Sequence, residues 1–101
     1  MQLTYIGWFK PNIILFTELR CKEDMWKHGY GSGDGYYRKK IGEFSSPEEC
    51  AYMVYTTTNA TGVTHHGYAP FECYADFNAN GYAETDTPYA MSTCLFDGNS
   101  N

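Results

Sequence analysis

The chain is 101 residues long with 43% hydrophobic and 19% charged residues, enough apolar content for one modest core and too much for a disordered polymer. Seven Lys and Arg against twelve Asp and Glu give a net charge of −5, which offers no electrostatic footprint for nucleic acid or an anionic membrane. No apolar run approaches the roughly 20 residues of a membrane-spanning helix.

Residues Met1 to Leu19 hold two apolar stretches, Leu3 to Phe9 and Ile13 to Leu19, divided by Lys10-Pro11-Asn12. Their β-branched and aromatic content around a Pro-Asn break predicts two strands and a turn. Cys21 to Lys27 is charged and predicts a short helical turn. Gly29 to Gly35, with glycine at every second position and Asp34 beside the last, predicts a loop. Its spacing is not a dinucleotide fingerprint, because the following stretch Tyr36 to Phe44 reads as strand where a phosphate cradle needs a helix.

The strongest local signal is Ser46-Pro47-Glu48-Glu49. Ser46 can accept from the backbone N–H three residues on while Glu49 reaches back, and Pro47 sits where a helix has no use for its N–H. Cys50, Met53, Val54 and Thr57 then mark one face of a helix, which should end in the poor helix formers Thr56-Thr57-Thr58-Asn59. Gly62 to Tyr68 and Phe71 to Phe77 read as extended. In the second, Phe71, Cys73, Ala75 and Phe77 alternate with Glu72, Tyr74 and Asp76, the period of a half-buried strand. Asn78 to Pro88 reads as a polar loop, Met91 to Phe96 as a last strand and Asp97 to Asn101 as a polar tail. One helix packed on a mainly antiparallel sheet is an α+β domain.

Ten Tyr, six Phe and two Trp make up 18% of the chain. A few buried rings fill a small core, whereas exposed Tyr is a low-entropy contact residue. Cys21, Cys50, Cys73 and Cys94 lie 29, 23 and 21 residues apart, with no C-x-x-C pair of the kind structural zinc or a thioredoxin-type site requires. Two disulfides in an oxidising compartment are expected, against the alternative of four buried thiols. Spacing does not choose among the three pairings. Asn59-Ala60-Thr61 is an N-glycosylation sequon and points to the same compartment. Residues 1 to 20 lack a basic start, a sustained apolar region and a small-residue cleavage site, so an exported form is expected as a mature or trimmed chain.

The stretch Lys40-Ile41-Gly42-Glu43-Phe44-Ser45-Ser46-Pro47-Glu48-Glu49-Cys50-Ala51, then Gly62-Val63-Thr64, Cys73-Tyr74-Ala75-Asp76-Phe77-Asn78-Ala79 and Thr93-Cys94-Leu95-Phe96, resembles the PAN/apple-type domain. That family is an extracellular, disulfide-linked module in which a strand leads into a helix opened by a Ser-x-Glu-Glu-Cys-Ala type sequence, and a curved antiparallel sheet wraps the helix. The resemblance covers residues 21 to 96. It leaves residues 1 to 20, with Trp8, Phe9 and Phe16, as an added strand or assembly arm, and 97 to 101 as a tail. It implies bridges Cys21–Cys94 and Cys50–Cys73. The family's innermost bridge starts one helical turn further on, where Val54 stands here, so that bridge is absent and the other pairings stay open. By chain entropy, loops of 23 and 73 residues would contribute about 3 and 4 kcal/mol.

Asp76-Phe77-Asn78-Ala79-Asn80-Gly81-Tyr82-Ala83-Glu84 reads D-x-N-x-N-G-x-x-E, the front of a calcium loop, making Asp76, Asn78, Asn80 and Glu84 candidate ligands. The twelfth position is Thr87 where a bidentate Glu belongs, and the same residue types also build an Asn-Gly turn between strands. His65-His66, with His28 and the cysteines, raises zinc, but adjacent histidines in an extended segment face opposite ways. One is expected packed and one exposed. No G-x-S-x-G or H-E-x-x-H motif is present, and disulfides would remove any cysteine nucleophile, so no enzyme is expected.

Surface recognition remains. Tyr30, Tyr36 and Tyr37 beside the Gly-rich loop, and Tyr68, Tyr82 and Tyr89 near later loops, are candidate contact residues for a protein or glycan ligand. The expectation is a secreted, non-enzymatic binding module. The alternative is a structural subunit that self-assembles into a matrix, fibre or homo-oligomer.

Overall fold

A computed structural model describes residues 20–22, 25–83 and 90–96. The two N-terminal strands, the polar tail, Glu84 and Tyr89 lie outside the described residues. Among the described residues, seven strands and a helix make an α+β arrangement: β1 (Lys27–His28), β2 (Tyr30–Ser32), β3 (Tyr37–Glu43), α1 (Pro47–Thr57), β4 (Gly62–His66), β5 (Glu72–Phe77), β6 (Gly81–Ala83) and β7 (Met91–Leu95). Five strands pair antiparallel in the order β1-β7-β4-β5-β3, and β2 pairs with β6 as a separate ribbon.

Helix α1 begins where its sequence says it should. Ser46 Oγ accepts from the Glu49 N–H at 3.1 Å and Pro47 takes the first turn. The reciprocal bond, from the Ser46 N–H to the Glu49 carboxylate, is not formed. At the other end the threonines cap their own helix: the hydroxyls of Thr56, Thr57 and Thr58 donate to the carbonyls of Tyr52, Met53 and Val54 at 2.8, 2.5 and 2.6 Å. The Val54 carbonyl also accepts the Thr58 backbone N–H at 3.0 Å, so the hydroxyls add a second bond to carbonyls of the last turns, and the helix stops without glycine.

The buried stripe of α1 is Cys50, Ala51 and Val54, with Met53 half-buried and Thr57 exposed. The stripe is thus rotated toward Ala51 from the expected Cys50–Met53–Val54–Thr57 face. Against it pack Val63, Ala75, Cys94 and Phe96, with Ile41, Phe44, Tyr55 and Phe77 closing the margin. Disulfides join Cys21 to Cys94 and Cys50 to Cys73, the pairs the family resemblance implies.

Strand β4 lies between β5 and β7 and is buried along its whole length. Its far face is roofed by the β2–β6 ribbon, two strands that the polarity and glycine content of their segments disguise as loops. Glycine makes the roof fit. A Cβ on Gly31 would come within 2.8 Å of the Asp76 carboxylate, and Gly33 holds φ +146° with its Cβ position 2.6 Å from Asn80 Oδ1. Only a backbone without side chains can lie this close.

Candidate functional site

Alternation along β5 gives the sheet two different faces. Cys73 and Ala75 join the helix-side core, while Glu72, Tyr74 and Asp76 share contacts on the opposite side with His66, Arg38, Thr64 and Thr93. Asp76 was expected on a solvated strand face and is instead fully buried. Its Oδ1 accepts from the Tyr36 hydroxyl at 3.1 Å and its Oδ2 from Thr64 Oγ1 at 2.5 Å. Thr93 Oγ1 lies 3.5 Å away and donates to the Val63 carbonyl at 3.0 Å. Burial pushes the Asp76 carboxyl above its ordinary value, against the opposing pull of these hydroxyls and of Arg38. The Tyr36 phenol is pushed up as well, by burial first and by Asp76 next.

The calcium-like string is taken up by this architecture. Asp76 spends its oxygens on hydroxyl donors. Asn78, at φ 60°, donates from Nδ2 to the Gly35 carbonyl at 3.2 Å, and the Asn80 N–H donates to the Ser32 carbonyl at 3.0 Å. The residues build the β5–β6 turn and seat the ribbon. Among the described residues no three His, Cys, Asp or Glu side chains converge as a metal site.

Both histidines are buried, which corrects the expectation of one packed and one exposed. His65 lies 2.6 Å from the Phe44 carbonyl through Nε2, so that nitrogen carries the proton. His66 faces the other way. Its ring stacks on Tyr68 with centroids 5.1 Å apart, tilts against Tyr74, and brings Nδ1 to 3.6 Å from Glu72 Oε1. Nε2 is buried with no hydrogen-bond partner among the described residues. Burial holds the imidazole below its ordinary pKa, partly offset by Glu72. Glu72 accepts from the Tyr74 hydroxyl at 2.5 Å and from Lys40 at 3.4 Å, and that bonding holds its carboxyl low. A neutral His beside an ionised Glu has the form of a proton-transfer pair, but the nitrogen that would meet a substrate is enclosed.

The candidate tyrosines scatter. Tyr36 is half-buried on Asp76 and Tyr68 lies against His66. Tyr30, Tyr37 and Tyr82 present rings to water, at 38, 55 and 41% exposure, and are the exposed large hydrophobics among the described residues. Tyr30 and Tyr82 sit on opposite faces of the ribbon, since Tyr30 pairs with Ala83 and Gly31 with Tyr82. Tyr37 opens β3 and stacks flat on Phe77, centroids 4.9 Å apart and planes 7° apart. Asn59 is exposed just past the helix, and Thr61 of the sequon is tied by its hydroxyl to Asp76 and Ala79.

One feature went unread in the sequence. Among the described residues β3 is an edge strand, and Tyr37, Arg38, Lys39 and Lys40 are exposed along it. Arg38 lies over the Tyr74 ring at 4.2 Å, and Lys40 pairs with Glu43 at 2.9 Å. Arg38-Lys39-Lys40 contains three of the seven Lys and Arg in the chain, a signal visible in the sequence but diluted by the negative net charge. Comparison of the chain with protein-family models, curated proteins and solved structures returns no match.

Proposed function

We propose that this domain is a non-enzymatic extracellular recognition module for protein or glycan ligands. The observation that carries the reading is the exposure of Tyr30, Tyr37 and Tyr82 on a small frame whose other large apolar side chains, among the described residues, are buried or half-buried. Tyr supplies contact area with little rotamer entropy to lose, and rings left in water on a rigid support are suited to binding. Two disulfides give that support and accord with an oxidising compartment. The reading also draws on the resemblance of residues 21 to 96 to PAN/apple-type domains.

The test presents the oxidised protein, made multivalent, to a glycan array with and without calcium and to a panel of extracellular proteins. A ligand is expected whose binding falls at least tenfold when Tyr30, Tyr37 and Tyr82 are all changed to Ser. Equal binding by that variant would overturn the role of the rings. Silence of the wild type on every surface would overturn the recognition reading. Light scattering addresses self-assembly separately, with a monodisperse monomer expected.

A further inference from the structure

An edge strand presents a row of unpaired backbone N–H and C=O groups, ready to pair with another extended chain. β3 is such an edge. Residues Tyr37, Arg38, Lys39 and Lys40 pair in unbroken register with Phe77, Asp76, Ala75 and Tyr74 of β5, and the register shifts only beyond Lys40. Their outer backbone side has no strand partner among the described residues. We propose that this edge takes up an acidic, extended segment of a partner protein as an added strand.

Charge selects that occupant. Alternation puts Arg38 and Lys40 on one face of the edge and Lys39 on the other, so carboxylates on either face of an added strand meet a cation. Lys40 is partly committed to Glu43 and Glu72, whereas Arg38 and Lys39 form no contact ion pair with a carboxylate among the described residues, although Arg38 also acts on the buried Asp76 beside it. The Arg38 guanidinium lies over the Tyr74 ring, which limits the freedom it would lose on pairing with a carboxylate. Lys at an edge also guards against indiscriminate pairing, but it does so by sign. A second copy of β3 would set Arg38, Lys39 and Lys40 against like charges, which is destabilising. The same side chains that repel a copy favour an acidic chain. At the start of the edge, Tyr37 flat on Phe77 offers a ring for one more contact.

This inference rests on the recognition reading and names the partner class for one of its surfaces. The probe is a fluorescent alternating Thr-Glu octapeptide, compared with its Thr-Gln counterpart and with a Thr-Glu peptide N-methylated throughout, which keeps the charge but cannot pair as a strand. The expected result is binding by the Thr-Glu peptide at least tenfold tighter than by either control, weakening as salt is raised. Amide NMR shifts and slowed hydrogen exchange should centre on Tyr37 to Lys40. Lys39→Glu, and separately Arg38→Gln, should weaken binding at least fivefold with the remaining amide spectrum unchanged. Equal binding of the methylated peptide, shifts centred elsewhere, or no binding at about 1 mM, the weak end of specific recognition, each overturns the proposal. So does concentration-dependent self-association through the same amides, which would make a second copy the occupant. Failure here with a positive tyrosine-dependent ligand above would remove the strand-addition site alone and leave the recognition reading standing.

Discussion

The two faces of the central sheet are built from alternate residues of the same strands and are held by different physics. On the helix side, Val54, Val63, Ala75 and Phe96 are removed from water beside two covalent bridges. On the ribbon side, Asp76, Thr64 and His66 are packed almost as completely, with Tyr36 half-buried over them, but hold one another through hydroxyls, carboxylates and rings. The apolar side chains and disulfide-bonded cysteines of the first face carry no titrating group. The second contains ionisable groups whose pKa values are displaced by folding, so its stability is written in protons. The difference can be broken from either side.

The largest effect is expected from the bridges. Replacing Cys21 and Cys94 together by Ser, or Cys50 and Cys73 by Ala, should lower the free energy of unfolding by about 4 and about 3 kcal/mol for separations of 73 and 23 residues. Urea denaturation would measure both losses, which should be the same at acid and at neutral pH. A smaller effect is expected on the ribbon side. Thr64→Val removes the closest donor to the Asp76 carboxylate and should cost about 1–3 kcal/mol. The cost should shrink when the buffer is acid enough to protonate Asp76.

Smaller still, and of opposite slope, are two titrations. The folded state raises the Asp76 pKa above 3.8 and so holds its proton more tightly than the unfolded chain does. Stability from this group therefore falls as pH rises above 3.8, until Asp76 is ionised in both states. Thermal unfolding of Asp76→Asn, compared with wild type across that interval, should lack this decline. His66 is lowered below 6.5, so the unfolded chain takes up the proton first. Its contribution is complete above pH 6.5 and is lost as pH falls below it. His66→Gln should flatten the acid limb there. An acid limb unchanged in the variant would mean that the enclosed Nε2 is not what limits protonation.

The elements that could be read from the sequence are those whose signal is local. Ser46, Pro47 and Glu49 specify a helix start by themselves, and the β-branched and aromatic runs of β4, β5 and β7 specify strands within a residue or two. What escaped depends on partners distant in the chain. The ribbon looks like loop because Gly31 and the flanking Gly29 and Gly33 have poor strand propensity, yet Gly31 and Gly33 are where the backbone lies flush on Asp76 and Asn80. Asp76 looks like the solvated member of an alternating strand, since nothing nearby reveals that Tyr36 and Thr93 will close over it. Both histidines are buried for a similar reason: β4 becomes the middle strand, covered on two sides. The basic strand could have been found by asking where positive charge concentrates, although only the strand order shows that Arg38 and Lys39 lie on the edge of the sheet among the described residues.

The bridge between Cys21 and Cys94 holds two positions 73 residues apart in the chain within 6.0 Å of each other, between Cα atoms. Tension applied along the polypeptide would therefore pass through two sulfur atoms and bypass everything between them. The sheet, the helix and the open edge sit on a closed ring hung from the line of force. Under reducing conditions the same pull would run through the hydrogen bonds of the fold.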